Sequence, residues 1–553
     1  DAHGNLYFTD QGQTGLQDPS GRVYRLGVDG KLDALISGIP SPNGVALDVS
    51  GKAIFVAVTR ANQVWRGPLL PDGSTTKVGA FRTFFGTSGP DGLAVDAENR
   101  LVVAHASLGG AFVLNARGEV THFVKSPAGF TTTNVAYRPG SNTLVMTDSE
   151  TGSVLAAGQV VAPGFCDLHV HLREPGMEAR ETIRTGALAA ARGGFTTLCC
   201  MPNTQPVLDS RGVIEWVRQI AEPACARVLP IAAITREQKG ELLTEMVELA
   251  AAGAVAFSDD GKPVRSSGMM RCALSYSLIA GRPVVNHCED VELVGRGVMN
   301  AGEVSTRLGL RGWPVSGETI MLARDLELCR ITGGRYHAAH LSAAGSVELI
   351  RRAKDAGLPV TAEVTPHHLL LTESWVAGER EGLLGGAAAP PGHRYDTATK
   401  VNPPLRTLAD TQALVAALAD GTIDAIATDH APHSEVEKCC SYDEAAFGIS
   451  GLETALPALL ALHHHHGLPL ATLIAALTAR PAQCFALAAR IGRPVGTLLP
   501  GAVGDVVVFD PHQPLVVQPA RFVSKGQNSP LADLTLRGRV LLTVYGGRVV
   551  YEE

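Results

Sequence analysis

Residues 166–176 read CDLHVHLREPG, two histidines one residue apart and then an arginine, Arg173. In a strand, the period-two alternation of side chains puts His169 and His171 on one face. Similar donors recur along the chain. His287 follows an apolar run in VVNHCED, His340 stands in HAAHLS, Asp429 in ATDHAPH, and Asp259 and Asp260 follow AVAFS. Any one of these histidines alone reads as a satisfied structural side chain. All of them together at the ends of apolar runs read as a metal site. The donors are imidazole and carboxylate, without thiolate. That set suits zinc in a hydrolytic site and, less strictly, manganese, cobalt or iron. The ligands suffice for two ions, and a pair about 3.5–4 Å apart can share a hydroxide and polarise a carbonyl.

The elements that position these residues can be read from the same rows. Eight strand-like runs follow one another: GFCDLHV, FTTLCCM, RVLPIAAI, AVAFSD, PVVNHC, RYHAAHL, PVTAEVT and IDAIATD. Between them lie helix-like stretches such as ETIRTGALAAARGG and SVELIRRAKDAG. This alternation predicts an α/β fold, a (β/α)8 barrel over residues 158–500 with its reactive groups at the C-terminal ends of the strands. The stretch 371–398 reads as a loop over the mouth. After residue 500, GAVGDVVVFD and GRVLLTVYGGRVVYEE predict β strands of a small flanking domain, 501–553.

Residues 1–157 have a different texture, all β and rich in turns. NGVALDVSGKAIFVAVT begins at Asn43, DGLAVDAENRLVVAHAS at Asp91 and TNVAYRPGSNTLVMTD at Thr133, and the opening DAHGNLYFTD matches the second part of the same unit. Repeats of about 40–50 residues predict blades of a β-propeller, about three of them. A sandwich or meander is the plainer alternative.

Two resemblances attach to these motifs. Residues 1–157, through SPNG, GPDGLAVD and TTNVAY, look like part of the SMP-30/gluconolactonase family of propellers. Asn43 and Asp91 match the Asn and Asp of that family's metal site. Its Glu has no counterpart here, so both are expected to be turn residues and lactonase activity is not expected. From about residue 158 the chain resembles a class I dihydroorotase of the amidohydrolase superfamily. The motifs are PGFCDLHVHLREPG, MPNT, FSDDGKPV, NHCED, AAHLS, KVNPPLR, TDHAPH, FGISGLET and KGQNSP.

That resemblance implies two zinc ions bridged by Asp260 and a hydroxide, one bound by His169, His171 and Asp429, the other by His287 and His340. Asp259 stays open as the bridge. It also implies that Arg173 and Asn203 hold the carboxylate of dihydroorotate, that Asn402 and His433 touch substrate, and that the backbone at Phe447 and Gly448 reads the ring amides. Asp429 would be the catalytic base, the product N-carbamoyl-L-aspartate, and the pathway pyrimidine biosynthesis. A homodimer or an association with aspartate carbamoyltransferase would fit. Allantoinase or dihydropyrimidinase shares the histidines, and Arg173 with Asn203 favours dihydroorotate. A catalytically silent scaffold for the carbamoyltransferase would be expected to have lost ligands, and none is missing.

The bulk properties agree. The formal charge is −7, from 47 basic and 54 acidic residues, and asks for neither a nucleic-acid nor an anionic-membrane partner. Apolar runs are interrupted before they could span a bilayer. Ten cysteines, none before Cys166 and none in CxxC spacing, suggest a reducing, cytoplasmic setting. The first methionine is Met146, which suggests a start inside a longer reading frame or a processed product. HHHH at 463–466 reads as a solvated helix end, the Gly/Pro-rich stretch 492–505 as a turn and not a phosphate loop, and His367 and His368 as residues behind the ligands at most. The join near 153–165 replaces the β segment expected before the first barrel strand, so the strands after 505 would lack a partner unless propeller strands stand in.

Overall fold

The computed structural model describes the chain except residues 2, 14, 127–128, 139–142, 151–152 and 385–392, and the side chains of 153–157. It forms two compact units, Asp1–Gln159 and Val160–Glu553.

The first unit is four consecutive antiparallel sheets. A three-stranded sheet (Leu6–Asp10, Gly21–Leu26, Leu32–Ile39) comes first. Two four-stranded sheets follow, from Pro42–Leu47 to Gly79–Thr83 and from Pro90–Val95 to Val120–Lys125. A second three-stranded sheet (Thr132–Tyr137, Leu144–Asp148, Ser153–Ala157) closes the series. Four sheets stand where about three repeats were expected, because residues 21–39 make strands without carrying the repeated motif.

The motif itself has a physical cause. The register shifts between Pro42 and Val45, between Pro90 and Leu93, and between Thr132 and Asn134. The repeated NG, DG and TN pairs are therefore β-bulges at one position of three sheets. Gly44 and Gly92 let successive bulges touch: a Cβ on Gly44 would lie 2.3 Å from the Asp91 carbonyl oxygen, and one on Gly92 2.1 Å from Asn134 Oδ1. Asn43 and Asp91 thus sit in bulged strands, not in the turns expected of them.

The second unit contains all eight expected parallel strands: β1 Phe165–Val170, β2 Phe195–Cys200, β3 Arg227–Pro230, β4 Phe257–Ser258, β5 Val284–Asn286, β6 Tyr336–Ala338, β7 Val360–Val364 and β8 Ala425–Ile426. β1–β2–β3 form one sheet and β4–β5–β6–β7–β8 another. Single parallel bridges, Ala232 to Phe257 and Val170 to His430, join the two at both sides. Three of the connecting helices, Ile183–Gly193, Ser267–Ala280 and Leu408–Asp420, start on a Ser or Thr side-chain cap. Thr182 and Thr185 make a capping box at the start of helix Ile183–Gly193, which ends on Gly194 in the left-handed region at φ 86°. A short parallel pair, Met299–Asn300 with Gly312–Trp313, was not expected. In the stretch 371–398, Glu373–Ala377 is a 3-10 turn, and 385–392 lie outside the described residues.

The small flanking sheet is ordered Val160–Pro163, Val506–Val516, Thr535–Tyr545, Arg548–Glu552. Its partner strand is not lost: Val160–Pro163, at the very start of the second unit, pairs with Val506–Phe509. Phe165 links this sheet to the parallel strands, its ring 5.5 Å from Phe195 and 6.2 Å from Phe509. It is fully buried. Phe165→Ala is expected to cost about 3–5 kcal/mol, read as a lowered urea midpoint for the second unit's transition.

Candidate metal centre

His169 is the last but one residue of β1, and His171 follows two residues on, along the same face. His169 Nδ1–H donates to Glu363 Oε1 on β7 (2.7 Å), and the other Glu363 oxygen accepts from His337 Nε2 (3.1 Å). Burial alone would raise the Glu363 carboxyl, but the bonds from His169 and His337 hold it down at about 2. An ionised Glu363 fixes the His169 tautomer and leaves Nε2 as the free donor. His171 Nδ1 is likewise occupied by Asn203 Oδ1 (2.9 Å), and its Nε2 lies 3.0 Å from Asp429 Oδ1.

Asp260, just beyond β4, stands at the centre. Its carboxylate oxygens lie 3.4 Å from His169 Nε2, 3.5 Å from His171 Nε2, 3.5 Å from His340 Nε2 and 3.9 Å from His287 Nδ1. Burial works against its ionisation, yet the surrounding imidazoles, His169 foremost, hold it well below the usual carboxylate range. Asp259 turns the other way. It accepts from the Ile234 and Thr235 amides (2.8 and 3.0 Å) and from the Thr235 hydroxyl, and burial raises it to about 6.

The structure brings two overlapping donor groups together, His169–His171–Asp429 and His169–Asp260–His340, each with donor atoms within 4.8 Å of one another. His287 stands slightly apart: its Nδ1 faces His340 Nε2 at 2.9 Å and its Nε2–H donates to Glu289 Oε2 (2.9 Å). His169 Nε2 and Asp260 Oδ1 are buried and have no hydrogen-bond partner. Two orphaned donors of this kind, aimed at one point among neutralisable imidazoles, fit a divalent cation.

The backbone is strained at the same place. Arg173, His340 and Asp429 have φ of 62°, 29° and 46°. Non-glycine residues there cost on the order of 1–3 kcal/mol each. Asp429 is held from both sides. Asp167 on β1 accepts from the Thr428 amide (3.0 Å) and hydroxyl (2.6 Å), and the His430 ring lies 3.3 Å from Glu181, which also accepts from Ser524 Oγ (2.5 Å). Asp167 is raised to about 7 by burial.

A cavity of 220 Å³ opens over the cluster, lined also by Arg173, Asn203, Asn402, Phe447 and Gly448. Arg173 is 7% exposed and lowered to about 10 by burial, so it stays cationic at neutral pH. Its Nε donates to the Pro432 carbonyl (3.3 Å), its Nη2 lies 3.3 Å from His433 Nε2, and no ion pair among the described residues includes it. His433 Nε2–H donates to the Phe447 carbonyl (2.8 Å), and burial beside Arg173 lowers the ring to about 3. Asn402 Nδ2 is taken by Glu289 (3.1 Å), leaving its buried Oδ1 without a partner.

His368 is spent on Thr365 and the Pro403 carbonyl, while buried His367 makes no bond through Nε2. The histidine run ends helix Ala455–His466, with three of its rings bonded to backbone carbonyls. In the first unit, Asp91 belongs to no group of three His, Cys, Asp or Glu donors among the described residues.

Sequence reasoning did not single out Glu363, Glu289, Asp167, Glu181 or Asn528. Asn528 Nδ2 donates to the Ala431 and Gly448 carbonyls (3.1 and 2.9 Å), and its Oδ1 accepts from the His433 amide (3.1 Å). The motif KGQNSP carried that signal.

Parallel strands ending in imidazole and carboxylate donors define an amidohydrolase-like hydrolase fold. An L-hydantoinase (dihydropyrimidinase) from Arthrobacter aurescens superposes with a TM-score of 0.62 at 22% identity, over 81% of this chain and 93% of that one. A D-hydantoinase from a Thermus species gives 0.57 at 23%, over 82% and 92%. Residues 158–346 match the dihydro-orotase-like family, and residues 1–150 the SMP-30/gluconolactonase/LRE-like region. A dihydroorotase of Pelotomaculum thermopropionicum is 51% identical over 403 residues, 72% of this chain and 88% of that protein. One from Anaeromyxobacter dehalogenans is 51% identical over 402 residues, with the same shares. The chain belongs to the dihydroorotase family. No helix among the described residues is long and apolar enough to cross a membrane.

Proposed function

We propose that residues 158–500 form a (β/α)8 barrel, flanked by the small β domain of 501–553, that converts dihydroorotate reversibly to N-carbamoyl-L-aspartate, with two zinc ions at the strand ends. The bridges at Ala232–Phe257 and Val170–His430 support closure of the eight strands. Arg173 carries the substrate reading. A buried cation without an anionic partner is costly, and the dihydroorotate carboxylate supplies that partner in a bidentate pair. The free Asn402 Oδ1 suits a ring N–H, and a cavity of 220 Å³ suits one small ring.

When bound, the ions would supply Lewis acidity toward a ring carbonyl and a nucleophile at neutral pH. His169 and His171 with Asp429 would hold one, His287 and His340 the other, and Asp260 would stand between them. Asn203 would help Arg173 orient the carboxylate, and His433 with the Phe447–Gly448 backbone would hold the ring amides. Asp429 is ionised and faces the cavity. It would take the nucleophile's proton and deliver it to the leaving ring nitrogen, with the reverse transfer in ring closure.

The test follows the ultraviolet absorbance of dihydroorotate with zinc-loaded full chain and with residues 160–553. Turnover by both is expected, lost on chelation and restored by zinc. Arg173→Met is expected to raise KM roughly 30-fold, the loss of one charge-assisted pair. Dihydrouracil, which lacks the carboxylate, should be a poor substrate. Equal turnover of dihydrouracil or allantoin would sink the reading.

A further inference from the structure

Lys438 ends the short helix Glu435–Lys438, outside the donor cluster. Its Nζ donates to the Ala446 carbonyl (2.7 Å) and the Thr397 carbonyl (3.0 Å), with the Lys400 carbonyl at 3.5 Å. Thr397 answers with its hydroxyl to the Lys438 carbonyl (2.7 Å). The three carbonyls belong to two separate segments. One, 397–400, leads into Asn402; the other leads into Phe447 and Gly448. Asn402, Phe447 and Gly448, to which the two segments lead, line the cavity. The segments also meet directly, through Gly448 N–H to the Lys400 carbonyl (2.8 Å).

No ion pair among the described residues includes this ammonium. Glu437 is engaged by the Ser434 amide and hydroxyl (3.0 and 2.7 Å) and by Arg180. The other charged or titratable groups facing Lys438 are Lys400, Asp396, Cys440 and His433. Lys400 is occupied too, donating to the Asp443 carbonyl (3.0 Å) with its Nζ 4.5 Å from the Phe447 ring centroid. Filling space alone would be served by an apolar side chain. Three donors converging on carbonyls of two segments that lead into the cavity lining do something more specific.

We propose that Lys438 is a positioning residue, whose ammonium ties the Thr397–Lys400 segment to Ala446 and so sets the spacing between Asn402 and Phe447–Gly448 across which the substrate ring is held. This rests on the reaction proposed above. Burial lowers Lys438 to about 7. Below that pH the group offers three donors. Above it, the amine offers two and turns a lone pair toward a carbonyl, so the tie weakens as pH rises.

The test compares wild type, Lys438→Met and Thr397→Val in the full, zinc-loaded chain. Thr397→Val removes only the hydroxyl bond and controls for general loosening of the loop. Lys438→Met is expected to raise KM for dihydroorotate about tenfold or more while kcat stays within about threefold. The wild-type KM is expected to climb through neutral pH, and the Met variant to lose that dependence. Amide exchange at Gly448 should quicken in Lys438→Met and not in Thr397→Val. Metal content should be the same in all three.

An unchanged KM in Lys438→Met overturns the proposal, as does an equal KM rise in Thr397→Val. Should wild type fail to act on dihydroorotate, the reaction reading falls separately. Exchange at Gly448 still decides the tie, and wild-type protection in Lys438→Met overturns it.

Discussion

Asp429→Asn is expected to lower kcat by about 10²–10⁴-fold through lost proton transfer alone, with KM changed far less. The side chain keeps its shape, and an amide oxygen can still meet His171 Nε2, 3.0 Å away in the native protein. The carboxylate is what disappears. Asp429 is buried, and the His169 and His171 rings hold it ionised against the effect of burial. Its backbone, at φ 46°, is set by the flanking Thr428–Asp167 and His430–Glu181 bonds, so the amide should occupy the same place. Steady-state rates in both directions, with metal content measured in parallel, separate the outcomes. A rise in KM at unchanged kcat would assign the proton to another group.

Asp260→Ala is expected to abolish both metal retention and turnover. Removing this carboxylate leaves four imidazole edges with the Asp429 carboxylate to one side, and takes the central negative charge from between the two proposed cations. Asp259→Ala, one residue away, is expected to behave differently. It strands the buried Ile234 and Thr235 amides, a loss of about 1–3 kcal/mol per unsatisfied group, and should leave metal binding intact. Metal analysis after gel filtration, beside thermal unfolding, distinguishes the two. Metal loss in Asp259→Ala with retention in Asp260→Ala would reverse the assignment.

The eight parallel strands were legible because each is a short apolar run punctuated by Gly, Pro or a polar terminus. The helices between them carry the other period. The donors were legible because His169, His171, His287, His340, Asp260 and Asp429 fall at the ends of those runs. Period-two alternation could say only that Asp259 and Asp260 face opposite ways. Which one faces inward depends on the Ile234 and Thr235 amides of a neighbouring strand end. Glu363 was invisible for a related reason. It looks like any residue of an apolar strand, and its partner His169 is 194 positions away. Glu181 and Asp167 act through partners 249 and 261 positions away, and Asn528 through partners 80–97 positions away. In the first unit the repeated NG and DG pairs read as turns. They are bulges, because the constraint on those glycines is the close approach of the next sheet and not local chain reversal.

The pairing of Val160–Pro163 with Val506–Phe509 also sets an order of events. The residues that precede the first parallel strand find their hydrogen bonds only in a segment nearly 350 positions later, Val160 facing Phe509. Closing so long a loop is slow, because its entropy is lost before the contacts form. The same late stretch carries Ser524 to Glu181 and Asn528 to Gly448. On a ribosome, then, the cluster would gather its imidazole and carboxylate donors early but be locked last. A shortened C-terminus would be felt first in the orientation of Asp429 and the cavity wall, and only afterwards in the strands themselves.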